Sequence, residues 1–302
     1  MGLTRHRKKH RRSKTRRRRS TKLSPVNCSP KNISNNFTCY TNENLFGLKE
    51  LWNARHPDNP VTATDERDIW RFFKDIYSSV CNKESCWINY VVKKQEDKHR
   101  FISAFAPKAP ASWKKNKNEW LSSTDIHKVM KQYEKKYRCF EFIGPSPIDF
   151  DSHMLNGECV WQELCELDIQ QQILNKKTKI GIIFNTDPHN KPGAHWISLF
   201  INIKRGEIYF FDSAGSKIPT QIMNLVDRIT KQGTNLNPPI HFTFDQNYPV
   251  EHQYKNTECG MYSIYFLIHM LEDKFTKHYL KTHRISDEYI ETFRNKYYNG
   301  DL

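Results

Sequence analysis

The chain has 302 residues, of which 37% are hydrophobic and 13% aromatic, and this balance is typical of a globular protein rather than a disordered one. The formal net charge of +15 is concentrated at one end, because residues 1–22 hold twelve Lys and Arg and no acidic residue. Without these twelve, residues 23–302 carry only +3. The basic character therefore belongs to a tail, and a strongly basic folded body is excluded.

Residues 1–38 are predicted to be a disordered basic tail followed by a linker rich in Ser, Asn and Pro. Three interpretations of the tail stay open: a nuclear localisation signal, a tether for DNA or another polyanion, or a solvated end without a partner. Residues 1–22 contain no aromatic side chain, which argues against base stacking and favours contacts with phosphates alone.

The eight cysteines are spread along the chain, and a protein of this length does not depend on disulfide bonds for stability. We therefore expect free thiols, with Cys159 and Cys165 in the core or at the surface, and an intracellular, reducing setting. The N-terminal residues lack the apolar segment of a signal peptide, and no membrane contact is expected. Cys81 and Cys86 have no second close pair nearby to complete a four-ligand zinc site, so no metal is expected.

Residues 39–117 are predicted to form a small, mainly helical accessory domain. Apolar residues at helical spacing predict one helix from Asn42 and a second one capped by Thr62 or Thr64. Two apolar runs in this domain are predicted to be extended: Trp87–Val92 and Phe101–Phe105.

Residues 118–302 are predicted to form a second domain of the α+β class, with a central mixed sheet flanked by helices. Short apolar runs predict five strands, at Cys139–Ile143, Ile180–Phe184, Trp196–Ile203, Glu207–Phe211 and His241–Phe244. A turn is predicted at Gly144–Pro147, after the first strand. Helical patterns cover approximate ranges that alternate with these strands: 124–137, 161–174, 220–231, 259–274 and 286–297.

A predicted hairpin brings together a histidine and a carboxylate. His195 opens one strand and Asp212 closes the next, and the turn between them contains Gly206, which supplies the backbone freedom that a tight turn needs. Antiparallel pairing then places the two positions across from each other, within a residue or two of register. We expect Asp212 to bind His195, fix its tautomer and stabilise the imidazolium.

Cys259 stands at the predicted start of an apolar helix and is followed by Gly260. The positive end of the helix dipole and a neighbouring imidazolium both favour the thiolate, which is the form that attacks a carbonyl. The backbone N–H of Cys259 and the side-chain amide of Gln253, six residues upstream, are candidate donors for an oxyanion. A single Cys at a helix start is usually a packed apolar residue, but its combination with His195, Asp212 and Gln253 predicts a nucleophile.

The order His, Asp, Gln, Cys and its local context resemble the ubiquitin-like-protein protease superfamily. This superfamily includes the SUMO-specific proteases, the adenovirus proteinase and the core-protein proteases of large DNA viruses. The motifs that carry the resemblance are Gly193–Trp196, Ile208–Gly215, Gln253 and Thr257–Tyr262. Trp120–Ile126 is also similar to the family's Trp-Leu segment, with the Asp displaced, and no role is assigned to it. The resemblance implies a core related to that of papain-like cysteine proteases.

The resemblance also implies cleavage after Gly-Gly, with Trp196 narrowing a channel for residues that lack side chains. The basic tail and residues 39–117 favour the viral members, whose substrates are virion structural or core proteins and whose location is the virion, the host nucleus or the cytoplasm. Two alternatives stay open: a deconjugase of SUMO or another ubiquitin-like modifier, and a catalytically inert nucleic-acid-binding virion protein. Neither a metal nor an organic cofactor is expected, because thiol catalysis needs none.

Overall fold

The structure is a computed structural model that describes residues 23–32 and 37–300. The predicted basic tail, residues 1–22, lies outside the described residues, and its three interpretations stay predictions. Within the described part of the chain, none of the helices has the length and apolar character that a membrane span requires.

The described residues divide into two compact units, each built from two stretches of chain: 23–25 with 42–98, and the described parts of 26–41 with 99–300. These bounds differ from those of the predicted domains, 39–117 and 118–302. The first unit ends at Lys98, within a helix that covers Gln95–Ile102. Residues 99–117 therefore belong to the same unit as the predicted catalytic residues.

The first unit is helical, as the sequence predicts. Its helices are α1 (Asn42–Asn53), α2 (Glu66–Ile76), α3 (Trp87–Val91) and the beginning of α4 (Gln95–Ile102). The N-cap of α2 is Asp65, not Thr62 or Thr64. The Asp65 side chain accepts a hydrogen bond from the Asp68 N–H at 3.0 Å. A carboxylate at this position satisfies an N–H that has no acceptor inside the helix.

Both extended segments predicted in this part of the chain are wrong. In the first segment Trp87–Val91 forms helix α3, and Phe101–Phe105 contains the end of α4 and a turn. The buried side chains of α3 share one helical face instead of alternating as in a strand: Trp87, Ile88 and Val91. An apolar run this short fits a buried helix as well as a strand, so only the surrounding packing selects between them.

The expectation that all cysteines are free thiols is also wrong. Three disulfide bonds join residues that are near each other in the sequence: Cys28–Cys39, Cys81–Cys86 and Cys159–Cys165. Cys139 and Cys259 are free. Each bond closes a loop of at most 11 residues of separation, so local turns bring the sulfurs together. The spacing alone did not reveal these turns.

The second unit is built on a mixed sheet of five strands, which confirms the predicted class. The strands are β1 (Phe140–Pro147), β2 (Lys179–Asn185), β3 (Trp196–Asn202), β4 (Glu207–Phe211) and β5 (Thr243–Gln246). They lie in chain order; the two outer pairs are parallel and the two inner pairs antiparallel. The turn predicted at Gly144–Pro147 is wrong, because β1 continues through it with a register irregularity after Ile143.

The helices of this unit are α5 (Ser123–Lys136), α6 (Gln162–Cys165), α7 (Ile169–Leu174), α8 (Thr220–Thr234), α9 (Cys259–Leu271), α10 (Lys277–Thr282), α11 (Asp287–Glu291) and α12 (Arg294–Tyr297). Two predicted single helices, near 161–174 and 286–297, are each divided in two. Asp168 explains the division between α6 and α7. Its side chain accepts a hydrogen bond from the Gln171 N–H at 2.8 Å and caps α7 as a separate helix.

Alternation along the strands separates two hydrophobic cores. Side chains such as Ile197 and Leu199 of β3 face one core, which α8 completes with Ile222 and Leu225. Phe200, on the opposite face of β3, belongs to the other core, which α5 and α9 complete. Helix α9 is apolar on all sides, and of its 13 residues all but His269 are buried. It therefore forms the centre of its layer and gives its first residue a rigid support.

Candidate active site

Cys259 is the first residue of α9, and only 2% of its surface is exposed. The N–H groups in the first turn of a helix have no acceptor inside the helix, and the dipole concentrates positive charge there. Cys259 therefore combines, in one residue, a free thiol with a backbone N–H that has no acceptor inside the helix. This is the arrangement that the sequence predicted for a nucleophile with an adjacent oxyanion hole.

His195 and Asp212 meet at one end of the sheet. The β3–β4 ladder ends with Ser198 opposite Phe211, so His195 and Asp212 lie just beyond the last pair. The imidazole Nε2 and the carboxylate Oδ1 are 2.6 Å apart, and Asp212 is only 4% exposed. The carboxylate acceptor keeps a proton on Nε2, which leaves Nδ1 as the nitrogen available to the thiol.

The electrostatic surroundings of His195 favour the imidazolium. Burial lowers the pKa of His195, but hydrogen bonds and charge from Asp212 and Cys259 outweigh burial and raise it to about 10. A pKa this far above the ordinary value of 6.5 indicates that the imidazole keeps its proton over the physiological range. The geometry thus supports an imidazolium beside the cysteine rather than two neutral groups.

Asp212 is held in place by an asparagine that the sequence analysis missed. Asn247 is completely buried, and its side chain bonds both backbone groups of Asp212: Oδ1 accepts from the N–H at 2.9 Å and Nδ2 donates to the carbonyl at 2.7 Å. The Ala214 N–H also donates to Oδ1 of Asp212 at 2.8 Å. The carboxylate therefore has a single orientation toward His195.

Two hydrogen bonds to Ser213, the residue that follows Asp212, hold Gln253 beside Asp212. The Ser213 hydroxyl donates to Oε1 of Gln253 at 2.7 Å, and the Ser213 carbonyl accepts from the Gln253 N–H at 2.9 Å. The Lys255 carbonyl identifies the nitrogen end of the amide, because a carbonyl only accepts, whereas the Ser213 hydroxyl both donates and accepts. Nε2 donates to the Lys255 carbonyl, and its second hydrogen stays available to an oxyanion.

A buried ion pair anchors the residue that precedes the nucleophile. Glu258 has no exposed surface, and Arg294 of α12 is 5% exposed. The Nε and Nη2 atoms of Arg294 each donate to a different carboxylate oxygen of Glu258 at 2.9 Å, and the guanidinium lies 4.4 Å from the ring centre of Trp113. Burial raises the pKa of Glu258, while Arg294 opposes that shift. The pair holds the backbone at the start of α9.

Helix α11 holds the loop that carries Gln253. Asp287 is 2% exposed, and its Oδ2 accepts from the N–H groups of Tyr254 and Lys255 at 3.0 and 3.3 Å. Its Oδ1 accepts from the hydroxyl of Tyr262 in α9 at 3.3 Å. Asp287 therefore ties the loop to the nucleophile helix, and α11 and α12 together determine the position of residues 253–258.

A cleft of about 860 Å³ is lined by Gly193 and Trp196, which flank His195 in the sequence, although the four predicted catalytic and oxyanion residues are not part of its lining. Its walls include three tryptophans: Trp120, Trp161 and Trp196. The indole N–H of Trp196 donates to the Leu121 carbonyl at 3.0 Å, and only 9% of Trp196 is exposed. A Cβ on Gly260 would come within 3.0 Å of Leu121 and 3.2 Å of Trp196, so the helix start is packed tightly against both. Trp120, to which the sequence analysis assigned no role, is 44% exposed.

The structure brings all of the predicted site residues to one end of the sheet and adds a group of supporting residues that the sequence did not indicate: Ser213, Asn247, Asp287 and Arg294. Ser213 adjoins a predicted catalytic residue and could have been considered. Asp287 and Arg294 are far from the motifs in the sequence. Asn247 is six residues before Gln253 but 35 residues from Asp212, the residue that it holds, and no local pattern marks any of the three.

A free cysteine at a helix start, paired with an imidazolium whose partner is a buried carboxylate, defines a cysteine protease of the α+β class. Comparison with known proteins identifies its family. Residues 114–301, well over half of the chain, match the Ulp1 protease family, C-terminal catalytic domain. The chain belongs to this family of cysteine proteases.

Two viral proteases are similar to the chain over most of its length. A thiol protease of Acanthamoeba polyphaga mimivirus is 25% identical over 300 residues, which cover 90% of this chain and 93% of the relative. A cysteine protease of African swine fever virus is 25% identical over 251 residues, which cover 78% of this chain and 90% of the relative.

The crystal structure of an African swine fever virus protease superposes on this chain with a TM-score of 0.65 at 19% identity. It covers 93% of this chain and 98% of the viral one. The shared fold therefore extends beyond residues 114–301 into the N-terminal helical part of the chain.

Proposed function

We propose that the protein is a cysteine endopeptidase that cleaves after Gly-Gly type sites and processes virion structural or core proteins during assembly. The observation that carries the catalytic part is the 2.6 Å contact between His195 and a carboxylate, next to the free Cys259. Glycine specificity and the viral substrate rest on further support, given below.

In the proposed mechanism, the Cys259 thiolate attacks the carbonyl carbon of the second glycine, while His195 holds the proton. The N–H of Cys259 and the amide of Gln253 bind the oxyanion of the tetrahedral intermediate. His195 then protonates the leaving amine, which leaves a thioester on Cys259, and water hydrolyses it with His195 as the base. Asp212 keeps His195 in the orientation that both proton transfers need.

Specificity for glycine is supported by the close packing around the nucleophile. Trp196 and Leu121 contact the start of α9 closely enough to crowd even a Cβ at Gly260. We propose that the same tryptophan limits the substrate residues beside Cys259 to those without side chains. One added methyl group in a filled site costs about 1–3 kcal/mol, or roughly 5–150-fold in kcat/KM.

The viral substrate is supported by the similarity to proteases of two large DNA viruses and by the basic tail of the sequence. The test is cleavage of a peptide with a Gly-Gly-X site taken from a core protein of the same source, followed by mass spectrometry. We expect cleavage after the second glycine by the wild type and none by Cys259→Ala. Identical products from both proteins would overturn the proposal.

Deconjugation of a ubiquitin-like modifier is the second candidate function. One African swine fever virus relative, 24% identical over 251 residues, carries the name SUMO-1 cysteine protease. Assays with a SUMO conjugate and with the Gly-Gly-X peptide, at equal concentration, separate the two candidates. Cleavage of the conjugate alone would replace virion processing by deconjugation, whereas preference for the peptide supports the first proposal.

A further inference from the structure

The segment between β1 and α7 forms a small hairpin that carries a histidine opposite a cysteine. His153 and Cys159 are partners in an antiparallel bridge. Two backbone bonds of 2.8 and 2.9 Å close the hairpin on either side of this bridge, from Met154 N–H to Glu158 and from the N–H of Val160 to Ser152. Side chains opposite each other in such a bridge project from the same face.

A second cysteine joins this face from the following helix. Cys165 is the last residue of α6, and its Cα lies 6.3 Å from that of Cys159. The Nε2 atom of His153 is 3.8 Å from Sγ of Cys159, and the ligand atoms of all three residues lie within 4.8 Å of one another. Within the described part of the chain, this is the single group of three such side chains that meets that distance.

We propose that His153, Cys159 and Cys165 form a zinc site when the disulfide between the two cysteines is reduced. Zinc prefers thiolate and imidazole ligands in tetrahedral geometry, with bonds of about 2.3 Å to sulfur and 2.0–2.1 Å to nitrogen. These bond lengths separate a sulfur and a nitrogen ligand by about 3.6 Å. The observed 3.8 Å between His153 and Cys159 is close to that separation.

The chemistry is a competition between a disulfide and a metal. A dithiol reductant supplies two electrons and two protons, which convert the disulfide to the thiols of Cys159 and Cys165. Each thiol loses its proton to solvent on binding, His153 binds as the neutral imidazole, and water takes the fourth position. Zinc does not change its oxidation state, so no further electron transfer is needed. This site departs from the sequence-based expectation that the protein holds no metal.

The location links this site to the cleft that Gly193 and Trp196 line. Val160 and Trp161 lie between the two cysteines in sequence, and both line that cleft. The backbone N–H of Trp161 donates to the Phe150 carbonyl at 2.9 Å, which joins this wall to the segment that follows β1. Either a disulfide or a bound zinc cross-links the segment, so the wall keeps its shape in oxidising and in reducing conditions.

The test measures zinc on the full chain with Cys259→Ala, because the nucleophile and His195 could bind the metal themselves. The protein is reduced with a phosphine, dialysed against a zinc buffer, and analysed by mass spectrometry for zinc per chain. We expect one zinc per chain. We also expect His153→Ala to weaken binding by more than about tenfold, since the loss of an outer-shell partner alone costs that much. His153 is exposed, so this change does not disturb the core.

Cys81 and Cys86 provide the matched control, because they form a disulfide of sequence separation 5, close to the 6 of Cys159 and Cys165. Ser at both control positions should leave zinc binding unchanged, while Ser at 159 and 165 should abolish it. Cobalt in place of zinc should show thiolate charge-transfer absorption that disappears in the second variant only. The proposal is overturned if the reduced protein retains no zinc. It is also overturned if zinc is still retained both by the variant with Ser at 159 and 165 and by His153→Ala.

Discussion

Two buried carboxylates flank the nucleophile, and they differ in the partners that they hold. Asp212 is paired with Nε2 of His195, whose side chain is 24% exposed, so the opposite ring nitrogen, Nδ1, is the one that can exchange a proton with thiol and substrate. Glu258 is paired with Arg294, and the two side chains are 0% and 5% exposed. An arginine does not give up its proton in a protein, so this second pair only holds position. Asp212 thus supports proton transfer, whereas Glu258 positions the backbone.

The largest effect is expected from Asp212→Asn, which preserves the shape of the side chain but removes its charge. Loss of the orienting carboxylate in a catalytic triad costs about 10⁴-fold in kcat. We expect a loss on the order of 10³–10⁴-fold in kcat, with little change in the unfolding temperature, measured with a Gly-Gly-X peptide and by calorimetry.

Asp149→Asn is the matched control, because Asp149 is paired with His189 at 2.7 Å, about the same distance, outside the triad. This change should alter kcat by less than about threefold, as expected for a surface pair. Comparable losses in both variants would contradict a special role of Asp212.

The pH dependence follows from the raised pKa of His195. Because the folded value is about 10 and the ordinary value is 6.5, the contribution of His195 to stability is complete below pH 6.5 and is lost as the pH rises to about 10. The rate should fall over the same alkaline limb, as the imidazolium loses its proton. A pH profile of kcat/KM for the wild type and for Asp212→Asn tests this. The alkaline limb of the variant should move to lower pH, and an unmoved limb would be contrary evidence.

Arg294→Met should act on stability first. It leaves the buried Glu258 without its cationic partner, with, among the described residues, only the Thr257 hydroxyl still donating to its Oε1. Breaking one side of a buried ion pair costs about 3–5 kcal/mol in the free energy of unfolding. Replacing both partners, with Glu258→Gln added, should restore part of that loss because no unpaired charge remains. Denaturant unfolding of the two variants measures the difference. If the double variant is no more stable than the single one, the unpaired carboxylate is not the cause.

Gln253→Ala should reduce kcat less than Asp212→Asn does. Removing one oxyanion donor costs about 10²–10³-fold in kcat, and KM should change little. Ser213→Ala is a useful companion, because it removes only the hydroxyl that orients the amide of Gln253 at 2.7 Å. We expect a smaller loss from it than from Gln253→Ala. If steady-state kinetics showed a larger loss of kcat for Ser213→Ala than for Gln253→Ala, the assignment of Gln253 as an oxyanion donor would be contradicted.

The smallest effect on catalysis is expected from changes in residues 1–22. Deletion of these residues should leave kcat unchanged but weaken retention on DNA at low salt, with a shallower salt dependence. A chain of the same length, with the twelve Lys and Arg replaced by Gln, separates charge from length. Retention that is unaffected by either change would remove the tether interpretation.

Sequence reasoning was most successful where local geometry determines distance. A hairpin of known register brings His195 near Asp212, and a helix start provides Cys259 with a positive environment. The three central strands, β2, β3 and β4, all keep their predicted bounds to within one residue. These are strands buried on both faces, whose continuous apolar runs are easy to recognise.

The failures share a physical cause, which is dependence on distant partners. The short apolar run Trp87–Val92 fits a buried helix and a buried strand equally well, and the packing of the first unit selects the helix. The disulfide between Cys159 and Cys165 depends on a turn between them that no spacing rule marks.

The sequence by itself determined the chemistry of the site: a thiol, an imidazole, a carboxylate and an amide in an order that a hairpin and a helix bring together. Only the tertiary structure decided what holds that chemistry in place. Asn247, Asp287 and Arg294 support Asp212, the Gln253 loop and Glu258 from 35, 33 and 36 residues away along the chain. Contacts over such separations arise from the packing of the whole unit, and local periodicity carries no information about them.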